Sequence, residues 1–129
     1  MTTTQQIPRL NSLSEQEAIA LEAYVAALWD RFGDQLVDVL LFGSKARGDA
    51  HSGSDIDVLV VLDQADGQAL SDARALGFDI WLRHRVFLSI RAMSKQRLQD
   101  LADIESLFYR NLMQDGISLL PRLVRKARP

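Results

Sequence analysis

Two carboxylates two residues apart open an apolar run, Asp55-Ile56-Asp57-Val58-Leu59-Val60-Val61-Leu62. On an extended strand, residues i and i+2 project from one face, so Asp55 and Asp57 point together. Side by side and uncompensated they repel. A divalent cation removes the repulsion, and Mg²⁺ takes oxygen ligands of this kind, filling its other positions with water and substrate phosphates. A pair of solvated acids at a strand's entry is the commoner meaning of such a pattern, so the neighbourhood has to decide.

Separated from Asp55 by ten residues, the dipeptide Gly43-Ser44 ends another apolar run, Leu36-Val37-Asp38-Val39-Leu40-Leu41-Phe42. A glycine lets backbone approach a ligand closely, and the free N–H groups at the start of a helix attract phosphate. The Ser44 hydroxyl adds a further hydrogen bond. Read alone, Gly43-Ser44 is a strand-end turn with a cap. Read with Asp55 and Asp57, it sets a phosphate cradle and a metal-binding pair at the ends of two buried strands.

The elements that must position these residues are legible from period and capping. Residues 1–13 show no periodicity and form an N-terminal arm. Ser14-Glu15-Gln16-Glu17 is a capping box, and the apolar stripe Ile19, Leu21, Tyr24, Val25, Leu28, Trp29 and Phe32 predicts a helix from Glu15 to Phe32, stopped by Gly33. Strands follow at 36–42 and 55–62, their near-continuous apolar character being that of strands covered on both faces. Between them a short helix fits at Ser44 to Arg47. A helix from Gln68 to about His84, weakened by Gly77, leads to a third strand over Arg85 to Arg91. Ser94 caps a helix to about Asp103, and a last helix runs from Ile104 to Gln114 before Gly116. The order implies an α/β (α+β) fold, a small, partly mixed sheet flanked by helices, as one domain over 14–121 with a basic tail at 122–129.

The bulk numbers set outer limits. A chain of 129 residues with 47% apolar content buries a core without cross-links. It has no cysteine, which excludes disulfides, thiolate metal sites and a cysteine nucleophile. The N-terminus has neither the basic start nor the apolar stretch of a signal peptide, and no apolar run nears the roughly 20 residues of a membrane span. A soluble, cytoplasmic protein with no membrane partner is expected. Net charge is −2, but residues 1–64 carry 4 Lys/Arg against 10 Asp/Glu and residues 65–129 carry 11 against 7. The acidic half suits a cation site, and the only concentrated basic run, Arg122 to Arg128, is too short and terminal to argue for a nucleic-acid partner.

The text GSKARGDAHSGSDIDVLVVL resembles the signature of the DNA polymerase β-like nucleotidyltransferases, and in particular the small stand-alone minimal nucleotidyltransferases. The resemblance implies a polymerase β-like nucleotidyltransferase fold. It implies Asp55 and Asp57 as catalytic residues holding Mg²⁺ on the triphosphate of ATP, and Gly43 and Ser44 gripping phosphate oxygens. Arg47 and Gly48 match the pattern too; Arg47 either neutralises the triphosphate or pairs with Asp49. The implied reaction moves AMP to an acceptor hydroxyl. Some such proteins are antitoxins that silence a HEPN-domain toxin by adenylylating a tyrosine, and a macromolecular partner of that kind is the favoured acceptor here. The alternatives are a non-catalytic nucleotide-binding module that neutralises a partner by contact, and a transferase acting on a small molecule such as an aminoglycoside.

Family enzymes commonly supply a third carboxylate from a later strand, and Arg85 to Arg91 holds none. Asp79 lies in helix and Glu105 beyond the next one. Either the third ligand comes from elsewhere, or Ser89 and water fill the gap, or nucleotide is bound with little turnover. His51 in the motif loop and Arg83-His84-Arg85 at a helix end read as solvated residues.

Overall fold

In a computed structural model of the chain, the structure describes residues 12–48 and 55–120. The residues of the expected arm up to Asn11, the tail at 122–129, Asp49 and His51 lie outside the described residues.

Helix α1 is Glu15–Phe32. It starts as the Ser14 hydroxyl accepts the Glu17 N–H at 3.1 Å while the Glu17 carboxylate accepts the Ser14 N–H at 2.9 Å, which completes the capping box. Gly33 ends it at φ 55, and a single 3₁₀ turn, Gly33–Gln35, feeds the sheet. The remaining elements are β1 (Leu36–Phe42), α2 (Ser44–Arg47), β2 (Ile56–Leu62), α3 (Gly67–His84), β3 (Leu88–Ser94), α4 (Lys95–Asp103), α5 (Leu107–Asp115) and β4 (Ile117–Ser118).

The four strands form one mixed sheet in the order β3-β2-β1-β4. β1 runs antiparallel to β2 and β4, while β2 and β3 are parallel and joined through α3. A shift of register between Leu36 and Asp38 changes which face β1's side chains take. Leu36, Val39 and Leu41 therefore join the larger core, whereas Val37, Leu40 and Phe42 face the other way.

The larger core packs α1 and α3 on one face of the sheet, around Tyr24, Leu28, Val58, Val60 and Leu62, all inaccessible to solvent. The Tyr24 hydroxyl donates to the Ala73 carbonyl at 2.8 Å, and burial pushes its ionisation far upward, so it stays a neutral strut between the two helices. Gly77 sits in mid-helix because α3 approaches β3 there: a Cβ on it would lie 2.9 Å from Ile90 Cγ1. A smaller cluster under α4 and α5 covers Leu59, Val61 and Leu112 on the opposite face.

Two boundaries differ from expectation. The third strand is Leu88–Ser94, not Arg85 to Arg91: Arg85 adopts a left-handed conformation (φ 57) that closes α3, and pairing with β2 begins only at Ile56–Leu88. The last helix starts at Leu107, capped by the Ser106 hydroxyl, because Glu105 at φ 51 turns the chain after α4.

Candidate nucleotide site

Gly43, Ser44, Asp55 and Asp57 lie at one end of the sheet, where β1 ends and β2 and β3 begin. Phe42 is directly opposite Asp57 in the β1–β2 ladder, which brings Gly43 against the Asp57 side chain. The contact is close: a Cβ on Gly43 would collide with Asp57 Oδ2 and lie 3.3 Å from its Cγ. Gly43 also holds φ 75, a conformation that glycine adopts without strain. The two halves of the sequence motif are thus in contact through one glycine and one carboxylate.

Helix α2 begins immediately after. The Ala46 and Arg47 N–H groups both close on the Gly43 carbonyl at 3.1 Å, so the Ser44 and Lys45 amides lie ahead of the first intrahelical bonds, at the open end of the turn. Lys45 escaped the sequence reading. It is 6% exposed, its ammonium is 3.1 Å from Glu17 Oε1 and donates to the Ser12 carbonyl at 3.2 Å, while the Ser12 hydroxyl donates to the Lys45 carbonyl. The side chain that caps α1 therefore also anchors α2. Nothing local marks Lys45 as buried, since its partner lies on another helix. Glu17→Gln keeps the cap but removes the countercharge from a buried ammonium. We expect it to lower stability by about 2 kcal/mol, read as a lower urea midpoint at unchanged slope.

Asp55 stands just ahead of β2 and is exposed; Asp57 is half-buried inside it. Burial and the neighbouring Asp55 charge raise the proton affinity of Asp57 above that of an ordinary carboxylate. Arg91, a hydrogen bond from Ser89 and Arg47 pull it the other way without reversing the direction. Ser89 is directly opposite Asp57 in the parallel β2–β3 ladder, which explains the bond. A carboxylate whose proton affinity is raised by burial and by a neighbouring acid, on a rim open to solvent, suits a hard divalent cation with water and phosphate oxygens as its remaining ligands. Among the described residues no group of three or more His, Cys, Asp or Glu forms around this pair or anywhere else.

Arg47 stands 3.6 Å from Asp115 at the end of α5; the other expected partner, Asp49, lies outside the described residues. Asp79 is exposed on α3 and Glu105 lies in the turn after α4, so neither is on the strands of the site. Arg83 and His84 end α3, and Arg85 lies over the Trp81 ring at 5.6 Å. A cavity of about 340 Å³ has Asp55 but not Asp57 in its wall, together with Glu17, Ile56, Arg85, Val86 and Phe87. A larger one of about 440 Å³ lies at the opposite end of the strands, around Gln35 and Gln64, far from this chemistry.

A family model described as a nucleotidyltransferase domain matches residues 21–110. A Methanocaldococcus jannaschii protein named as a putative protein adenylyltransferase is 31% identical over 100 residues, 78% of this chain and 94% of that protein. The bifunctional uridylyltransferase/uridylyl-removing enzyme of Pseudomonas fluorescens is 29% identical over 124 residues, 91% of this chain and 13% of that enzyme. A crystal structure of a toxin–antitoxin with AMP-PNP aligns with a TM-score of 0.48 at 20% identity, over 74% of this chain and 68% of that one.

Proposed function

The chain belongs to the nucleotidyltransferase domain family, and on that premise we propose that it transfers AMP from Mg²⁺-bound ATP to a protein hydroxyl. The favoured acceptor is a tyrosine of a HEPN-domain toxin, which would make the protein a cytoplasmic antitoxin. The observation that carries the reading is the contact between Gly43 and Asp57, with Asp55 two residues ahead of Asp57: a backbone turn and a carboxylate pair come together in the arrangement that a metal-bound triphosphate needs. The name of the archaeal relative supports a protein acceptor. So does Phe87, 62% exposed in the wall of the cavity that also holds Asp55.

In this reading the acceptor oxygen bonds to the α-phosphorus as the α–β bridging bond breaks and pyrophosphate leaves. Mg²⁺, when bound, screens the triphosphate and polarises the phosphoryl group. Asp55 and Asp57 supply its carboxylate ligands, the Ser89 hydroxyl orients Asp57, and the Gly43-Ser44 turn holds phosphate oxygens against the sheet. Ser44 sits at the open end of α2, and Ser44→Ala is expected to weaken ATP binding by about 1 kcal/mol, the usual net worth of one hydrogen bond.

Mass spectrometry of the adjacent gene's product after incubation with the protein, ATP and Mg²⁺ tests the proposal. An AMP adduct on a tyrosine supports it. A partner that is bound and silenced but carries no adduct would replace transfer with neutralisation by contact.

A further inference from the structure

Strand β3 presents Ser89 and Arg91 on the side of the sheet that carries Asp57, because Asp57 pairs with Ser89 and side chains alternate along the strand. Arg91 is exposed, and its guanidinium lies 5.1 Å over the Phe108 ring. Phe108 in turn meets the Phe42 ring edge-on at 5.5 Å and 88°. Phe42 is the residue opposite Asp57. A chain of two aromatic rings therefore holds this cation at the rim of the carboxylate site, and its charge is felt at Asp57. Among the described residues it makes no salt bridge.

We infer that Arg91 is a phosphate-binding residue of the nucleotide site, with Phe108 as its positioning residue. The planar fork of a guanidinium matches phosphate oxygens, and an aromatic face beneath it fixes its direction while leaving its N–H edge open. The site thus receives from β3 a fixed positive charge that bears on the triphosphate beside the two-carboxylate cation site. Arg91 belongs to neither half of the Gly-Ser and Asp-x-Asp motif.

The inference rests on the nucleotide-binding reading above, and the test separates the two. Equilibrium binding of a fluorescent ATP is measured with Mg²⁺ and with EDTA for the wild type, Arg91→Gln, Arg91→Lys and Phe108→Leu, each checked for a cooperative melt. Arg91→Gln is expected to weaken binding about ten- to a hundredfold in both conditions, as loss of a charge-assisted contact does. Arg91→Lys should fall between, and Phe108→Leu should weaken ATP while leaving the Mg²⁺ dependence unchanged. Equal affinity of wild type and a folded Arg91→Gln, with Asp57→Asn still abolishing the Mg²⁺-dependent part, overturns the Arg91 assignment alone. A wild-type protein that binds no ATP overturns the functional reading and this assignment together.

Discussion

Asp57→Asn is expected to abolish Mg²⁺-dependent nucleotide binding and to cut transfer by at least about a thousandfold, ~4 kcal/mol of barrier at ~1.4 kcal/mol per decade. The same variant should melt at a higher temperature than the wild type in metal-free buffer at neutral pH. The reason is the direction of the Asp57 shift. Burial and Asp55 raise its pKa in the folded protein above that of an ordinary carboxylate, so the folded state holds the proton over a pH range in which the unfolded state has released it. Stability contributed by this group falls as pH rises through that window, and above it the ionised carboxylate is a cost. Asn removes the charge and keeps an acceptor for Ser89. Adding Mg²⁺ should then raise the melting temperature of the wild type and leave that of Asp57→Asn unchanged. Scanning calorimetry with and without the metal decides it, and a variant that is less stable than the wild type in EDTA contradicts the account of the site.

Gly43→Ala should be nearly as damaging by a different route. The new Cβ would meet the Asp57 carboxylate, and φ 75 is a conformation that L residues rarely adopt. Strain of this kind costs about 1–3 kcal/mol, and displacement of Asp57 should lower transfer by about a hundredfold, since misplacement by about 1 Å has that scale of effect. Gly33→Ala is the matching control. Gly33 also has positive φ, at 55, but nothing lies within 4 Å of its Cβ position. It should lose stability through strain and keep its specific activity. Comparable activity losses in both variants would mean that Gly43 acts only through folding.

The features readable in the sequence were those encoded locally. Ser14 and Glu17 signal the start of α1 because both halves of the capping box lie within four residues, and the β-branched runs before Gly43 and after Asp55 are strands in the structure. The expectation that Asp55 and Asp57 share a side rests on strand geometry alone. Their meeting with Gly43 does not, because it depends on the antiparallel register that pairs Phe42 with Asp57. The start of β3 was misplaced by three residues for a related reason: the alternation of Val86, Leu88 and Ile90 is real, but pairing to β2 begins at Leu88 and the left-handed Arg85 still belongs to the end of α3. Ile104 looked like a helix residue by its apolar character, yet it is 72% exposed and precedes the turn at Glu105. Lys45, Arg91 and Phe108 carry no local signal. Their environment is made by contacts with Glu17, Phe42 and each other, far along the chain.

The central claim is that the protein moves a nucleoside monophosphate from a triphosphate held at Asp55 and Asp57. The most direct measurement is label transfer to the product of the adjacent gene, comparing ATP labelled at the α-phosphate with ATP labelled at the γ-phosphate, in Mg²⁺ and in EDTA. The account predicts label on the acceptor only from the α position, only with Mg²⁺, and none with Asp57→Asn. Label from the γ position, or α label that persists with Asp57→Asn, would contradict it.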